Sequence, residues 1–414
     1  MKINLKIKIK FNNNIIILFF VFLIFFNTNI FSINKSINKN KYYKQYFGQN
    51  KSLNIYNWGE YLSDGSNSSI CVNKEFEKLT GIKINYSTFA SNEELYAKLR
   101  NRSARYDIII PSDYMISRMI NEKMLAKIDL NKIPNYKNIY SSFKNLDYDI
   151  NNQYSVPYLW GAVGIIYNKK IIDNVDSWAE LWNEKYKNKI LMFSNARDCF
   201  GVALKKLNYS INTTNKKELL EASEEITKQK ELVQAYVMDE IFNKMENEEA
   251  YIAPYYSGDA ITMIKENKNL AFAYPKEGTN RFVDAICIPK DSQNIDQAHL
   301  YINFLLEPKI ALSNAKYVGY STPNKKAFEL LEDDIKNNKI AYPNKNILEN
   351  TESFLHMPLE INKLIDSEWT KIMSINNLDN KWIVPIFLIL SLILSLSVNI
   401  YRIIKNKKKS NINF

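Results

Sequence analysis

Between residues 53 and 111, short apolar runs alternate with helical ones, and this alternation restricts the fold more than any other feature of the chain. Leu53–Asn57 is rich in strand-forming residues, Val72–Leu79 has helical spacing and stops at Gly81, and Ile82–Thr88 alternates as a strand. Ser91-Asn92-Glu93-Glu94 has capping-box spacing and opens a helix through Arg100. Tyr106–Ile110 is then a continuous apolar strand ended by Pro111-Ser112. Such an order predicts a parallel α/β sheet, with ligands bound beyond the carboxyl ends of its strands. The pattern resumes with Ser177-Trp178-Ala179-Glu180, read as a second capping box, and Ile190–Phe193, read as the next buried strand. A chain of 414 residues is too long for one small core, so two lobes are expected.

Charge is unevenly placed. The formal net charge is +11, yet residues 1–51 carry nine Lys and no acid, and residues 376–414 carry six basic residues against one Asp. Residues 52–375 are therefore left at −3. A mildly acidic body excludes nucleic acid as the natural partner and admits a cation.

Both tails read as membrane segments. Four Lys in Met1–Lys10 precede a twelve-residue apolar run, Ile15–Phe26, which suits a signal peptide or N-terminal anchor over residues 1–32. No Cys follows that run, so a lipid attachment is not expected. Trp382–Tyr401 has about the 20-residue length of a transmembrane helix, and Arg402, Lys405, Lys407, Lys408 and Lys409 follow it as a basic cytoplasmic tail, 402–414. Residues 33–51, polar and rich in Asn and Lys, read as a stalk. The body is thus expected to be periplasmic or extracytoplasmic and anchored to the membrane.

Catalytic and cofactor signatures are missing. None of the ten glycines has the spacing of a dinucleotide fingerprint, a phosphate loop or a nucleophile elbow. His299 and His356 are the only histidines, and Cys71, Cys199 and Cys287 are widely spaced, so neither a zinc site nor a disulfide framework is expected. No cofactor and no metal are called for. A cysteine nucleophile at Cys71 or Cys199 would need a nearby base, and neither His is adjacent in sequence.

What remains instead is aromatic residues and carboxylates gathered in short runs, the first three of them at strand exits. These are Trp58-Gly59-Glu60-Tyr61, Ser112-Asp113-Tyr114, Asn195-Ala196-Arg197-Asp198, Tyr255-Tyr256-Ser257-Gly258-Asp259, Phe282-Val283-Asp284 and Gly319-Tyr320-Ser321. A polyamine is a methylene chain punctuated by ammonium groups. Binding it out of water needs a carboxylate for each charge, because a lone buried ammonium costs several kcal/mol. Ring faces along the chain add cation–π attraction of roughly 0.5–2 kcal/mol each.

The runs YNWGEYL, TGIKINYSTFASNEELYAKL, YDIIIPSDY, YSVPYLWGAVGI, SWAELWNEKYKNKILMF, NARD, YPKEG, INFLLEPKIA and GYSTPN, in this order, resemble the spermidine/putrescine-binding proteins of polyamine ABC importers. The resemblance covers about residues 52–372. It implies an α/β, two-lobed type II periplasmic-binding-protein fold with hinge strands. Lobe 1 would comprise 52–160 and 284–328, and lobe 2 would comprise 165–279 and 333–373.

Carried over residue by residue, the resemblance implies ligand contacts at Trp58, Glu60, Tyr61, Ser112, Tyr114, Asn195, Asp198, Tyr256, Phe282, Asp284 and Tyr320. Gly59 stands where relatives have Thr, Asp198 where they have Glu, Asn195 where they have Asp, and Tyr256 and Phe282 where they have Trp. A late Gln contact has no match near Phe354. Glu60, Asp198 and Asp284 are expected to neutralise ammonium groups of a ligand held between the lobes. The implied protein is a monomer, not an enzyme, and delivers its ligand to a separate ABC permease. The alternatives are a membrane-tethered polyamine sensor and a binding protein for another organic cation.

Overall fold

The computed structural model describes residues 42–375. The expected N-terminal anchor, the transmembrane helix at 382–401 and the basic tail lie outside the described residues. Among the described residues no helix is long and apolar enough to cross a membrane.

From the amino end, β1 (Ser52–Trp58), α1 (Val72–Thr80), β2 (Lys83–Phe89), α2 (Asn92–Arg100), β3 (Ile108–Ile109) and α3 (Asp113–Asn121) precede the long β4 (Ser155–Asn168). Next come β5 (Ile190–Phe193), α4 (Ala196–Lys206), α5 (Lys216–Gln229), β6 (Val233–Val237), β7 (Ile252–Tyr256), α6 (Ser257–Glu266) and β8 (Leu270–Ala273). The main elements close with β9 (Thr279–Cys287), α7 (Ile295–Leu305), α8 (Pro308–Val318), β10 (Thr351–Glu352) and α9 (Leu359–Ser374).

Two compact units result. Among the described residues, the first takes 42–162 together with Tyr256–Thr262 and Arg281–His356; the second takes Val163–Tyr255, Met263–Asn280 and 357–375. β4, β7 and β9 are the strands in which the chain changes unit. Residues 333–356, expected in lobe 2, belong to the first unit. There β10 pairs with β9, Ser353 Oγ donates to the Arg281 carbonyl at 2.9 Å, and Tyr342 packs edge-on against Trp160 and Phe328.

In the first unit β1 pairs in parallel with β2 from Ser52↔Lys83 to Trp58↔Phe89, and with β3 at Ile55↔Ile108. β9 runs antiparallel to β3 and β4, with Asp284 opposite Leu159 and Phe282 opposite Gly161. Strand alternation then divides the core. Leu53 and Ile55 face a cluster with Phe76, Tyr301 and Phe304, while Tyr56 faces another with Leu95, Met115 and Val283.

Local signals fix the helix ends. Gly81 takes φ +73° and its N–H closes α1 on the Glu77 carbonyl at 2.7 Å. Ser91 Oγ accepts the Glu94 N–H at 3.1 Å. The Glu94 carboxylate reaches back to the Ala90 N–H at 2.9 Å, one residue before its expected partner.

Residues Tyr43–Tyr46, expected within the polar stalk, form a 3-10 turn that is part of this unit. Tyr43 is 2% exposed. Its hydroxyl donates to Glu307 Oε1 and accepts from Asn303 Nδ2, both at 2.8 Å.

In the second unit β5 pairs in parallel with β6 and β7, and β8 runs antiparallel to β4 from Ile165↔Ala273 to Asn168↔Leu270. Helix α9 is tied to α5 by Ser223 Oγ donating to Glu368 at 3.0 Å. The second capping box is corrected: Trp178–Trp182 is a 3-10 helix, and Ser177 Oγ accepts from the Ala179 N–H at 3.1 Å. Ser177 in turn donates to Glu277, which also accepts the Trp178 N–H at 3.4 Å, while Glu180 accepts from Asn183 Nδ2 at 3.0 Å.

Candidate functional site

The centre of the site is Asp284, on β9 in the first unit and 4% exposed. Ser112 follows β3 and pairs with Asp284 through an isolated bridge, which brings the two backbones side by side. Ser112 Oγ donates to Oδ1 at 2.7 Å and the Tyr61 hydroxyl donates to Oδ2 at 2.5 Å. No Lys or Arg forms an ion pair with this carboxylate among the described residues. Burial pushes the Asp284 carboxyl up to about 6, against the two hydroxyl hydrogen bonds, which pull it down. Burial and the neighbouring Asp284 raise the Tyr61 phenol well above its ordinary range, so it remains a hydrogen-bond donor.

Rings extend from this carboxylate in a chain of edge contacts. Tyr158 lies 5.8 Å from Tyr61, Tyr61 5.6 Å from Tyr320, Tyr320 5.8 Å from Phe282, and Phe282 5.4 Å from Tyr256. This packing requires glycine at two places. A Cβ on Gly258 would lie 2.4 Å from the Tyr320 ring, and one on Gly161 would lie 2.8 Å from Phe282. The Tyr158 hydroxyl donates to the Tyr61 carbonyl at 2.9 Å and fixes the turn from which Tyr61 projects.

The other expected contacts fall into three groups. Trp58 ends β1 and packs on Phe89 at 4.5 Å, with its indole Nε1 buried and without a hydrogen-bond partner among the described residues. Glu60 is exposed, at φ +49°, in the turn that follows. Tyr114, in the first turn of α3, donates to Glu93 Oε1 at 3.0 Å and meets the Phe354 ring edge-on.

Asn195 and Asp198 belong to the second unit. Asn195 caps α4: its Oδ1 accepts the Asp198 N–H and its Nδ2 donates to Asp198 Oδ2, each at 2.9 Å. The amide expected as a ligand contact is thus engaged in holding Asp198.

Three neighbours of the site were not assigned from sequence. Asp259 accepts from the Tyr320 hydroxyl at 3.0 Å, which places a second carboxylate at the ring wall. The run Tyr255–Asp259 carried the signal, but only the tertiary contact distinguishes the acid from a helix-start residue. Glu93 was absorbed into the capping box. Phe354 lies in a stretch with no pattern to mark it.

The arrangement offers a buried carboxylate held by hydroxyls, a second acid, and a run of ring faces. It can take a positively charged group that carries apolar substance. Among the described residues there is no group of His, Cys, Asp and Glu able to hold a metal.

The family model for bacterial extracellular solute-binding proteins matches residues 104–351. The chain is 40% identical to the spermidine/putrescine-binding periplasmic protein of Salmonella typhimurium over 297 residues, 71% of this chain and 84% of that protein. It is 31% identical to the putrescine-binding periplasmic protein SpuD of Pseudomonas aeruginosa over 345 residues, 78% of this chain and 92% of that one. Among solved structures, the spermidine/putrescine ABC transporter substrate-binding protein PotD from Streptococcus pneumoniae superposes with a TM-score of 0.70 at 36% identity, over 78% of this chain and 98% of that chain.

Proposed function

The chain belongs to the bacterial extracellular solute-binding proteins, and from that premise we propose that it is the extracytoplasmic substrate-binding component of an ABC-type polyamine importer. It binds putrescine or spermidine and hands the ligand to a membrane permease. The observation that carries the reading is the Asp284 carboxylate, buried among rings with two hydroxyl donors and no cationic partner among the described residues. Such a group costs free energy until a cation reaches it. An ammonium supplies that charge, and Tyr61 and Ser112 hold the oxygens in place to receive it.

Tyr256, Phe282 and Tyr320 give the methylene chain apolar contact and π faces. Asp259, held by Tyr320, is a further acid for the same ligand. Trp58, Glu60, Tyr61, Ser112 and Tyr114 at the ends of β1 and β3, and Asp198 with its partner Asn195 in the second unit, are the remaining proposed contacts. The apolar runs at 15–26 and 382–401 are proposed to keep the body at the membrane, which raises its effective concentration near the permease.

Calorimetric titration of the full chain with putrescine, spermidine and spermine tests the reading, with an uncharged diol of matched length as control. Saturable binding of the amines alone supports it. Binding of none of them, or of the diol equally, overturns it.

A further inference from the structure

Arg281 begins the part of β9 that belongs to the first unit, directly before Phe282 and three residues before Asp284. It lies opposite Ala162 in the β4–β9 register and is half-buried. Its Nε is buried and has no hydrogen-bond partner among the described residues. Burial holds the guanidinium below its usual range, and the Asp113 carboxylate offsets this. Asp113 is already engaged by backbone: Oδ1 accepts the Tyr114 N–H at 2.8 Å and Oδ2 the Val283 N–H at 3.3 Å. Among the described residues this cation has no hydrogen-bonded counter-ion, and it sits on the strand that carries the ring wall.

Resting on the polyamine reading, we infer that Arg281 sets charge selectivity, favouring diamines over ligands that carry more ammonium groups. Side chains alternate along a strand, so Arg281 and Phe282 leave β9 on opposite faces and Arg281 acts through its field, not by contact. Three residues of extended strand span about 10 Å. That backbone spacing is a lower bound on the distance from guanidinium to ligand, and a half-buried charge there changes affinity by up to about tenfold for each further charge on the ligand. Ring contacts and methylene burial still favour a longer chain; Arg281 opposes only its extra charge.

The test titrates full-length wild type, Arg281→Gln and Arg281→Lys with putrescine, spermidine and spermine by calorimetry, with circular dichroism to establish folding. Arg281→Gln is expected to raise the spermidine-to-putrescine affinity ratio by up to about tenfold, and the spermine-to-putrescine ratio further. Arg281→Lys, which keeps the charge, is expected to retain the wild-type ratios. Equal change for all three ligands in Arg281→Gln overturns the inference, as does Arg281→Lys behaving like Arg281→Gln. Should Arg281→Gln not fold, Arg281→Met takes its place: a higher spermidine-to-putrescine affinity ratio than wild type supports the assignment, and unchanged ratios overturn it. A wild type that binds none of the three overturns the polyamine reading itself, a result distinct from unchanged ratios.

Discussion

Tyr61 and Asp284 lie 223 positions apart in the chain and meet at 2.5 Å, with the phenol donating to carboxylate Oδ2. Tyr61 projects from the turn after β1, and Asp284 stands on a strand antiparallel to the β3 that β1 pairs with. The sheet order β1-β3-β9 therefore makes the contact, and neither residue's local sequence does. The hydroxyl keeps the carboxylate oriented while leaving its charge uncompensated.

Ligand binding should follow the protonation of Asp284. Its carboxyl is pushed up to about 6 by burial. The amines of the ligand stay protonated throughout the acidic range, since alkyl ammonium groups titrate near 10. Affinity is expected to be flat above pH 7 and to fall below pH 6 by about tenfold for each pH unit. Calorimetry between pH 7.5 and 5 checks this, and a flat profile across that range contradicts it.

The same shift has the opposite consequence for the empty protein. The folded carboxyl titrates near 6 against 3.8 for the ordinary group, so the folded state binds its proton more tightly than the unfolded chain does. The stability it contributes is fully present below pH 3.8 and is lost as the pH rises through 6, on the order of 3 kcal/mol by pH 7. Asp284→Asn should therefore raise the denaturation midpoint of the ligand-free protein at pH 7. Added putrescine should stabilise wild type but not the variant. Urea melts with and without ligand measure both effects.

Tyr43 tests whether the fold begins before β1. Tyr43→Phe keeps the ring against Phe304 but removes the hydroxyl that donates to Glu307 and accepts from Asn303. Leaving the buried Asn303 amide without its acceptor should cost about 1–3 kcal/mol of stability, read from chemical denaturation, with polyamine affinity unchanged. A variant as stable as wild type would mean that Tyr43–Tyr46 adds nothing to the core.

Much of the fold is legible in local sequence, because strand and helix signals are local. β1, β2 and β5 follow the apolar runs at 53–57, 82–88 and 190–193, and α1 ends at Gly81 as its backbone conformation requires. Ser177 misled for a physical reason: the acid that satisfies it is Glu277, 100 positions away, which no local pattern reveals. Tyr43 was hidden because its three-tyrosine segment sits in a stretch rich in Lys and Asn and its partners, Asn303 and Glu307, are remote in the chain.

In the candidate site, Tyr61, Ser112 and Asp284 were legible as residues but not as a triad. The acid at Asp259 needed the Tyr320 contact to be recognised, and Asn195 proved to be a helix cap as well as a strand-exit residue.

The most direct test of the account compares wild type with Asp284→Asn by calorimetric titration of putrescine and spermidine at pH 7.5. Loss of the buried carboxylate is expected to weaken both by about 2–5 kcal/mol, with the variant folded and at least as stable as wild type when empty. Affinities that match wild type in a folded Asp284→Asn protein would show that the ammonium is held elsewhere.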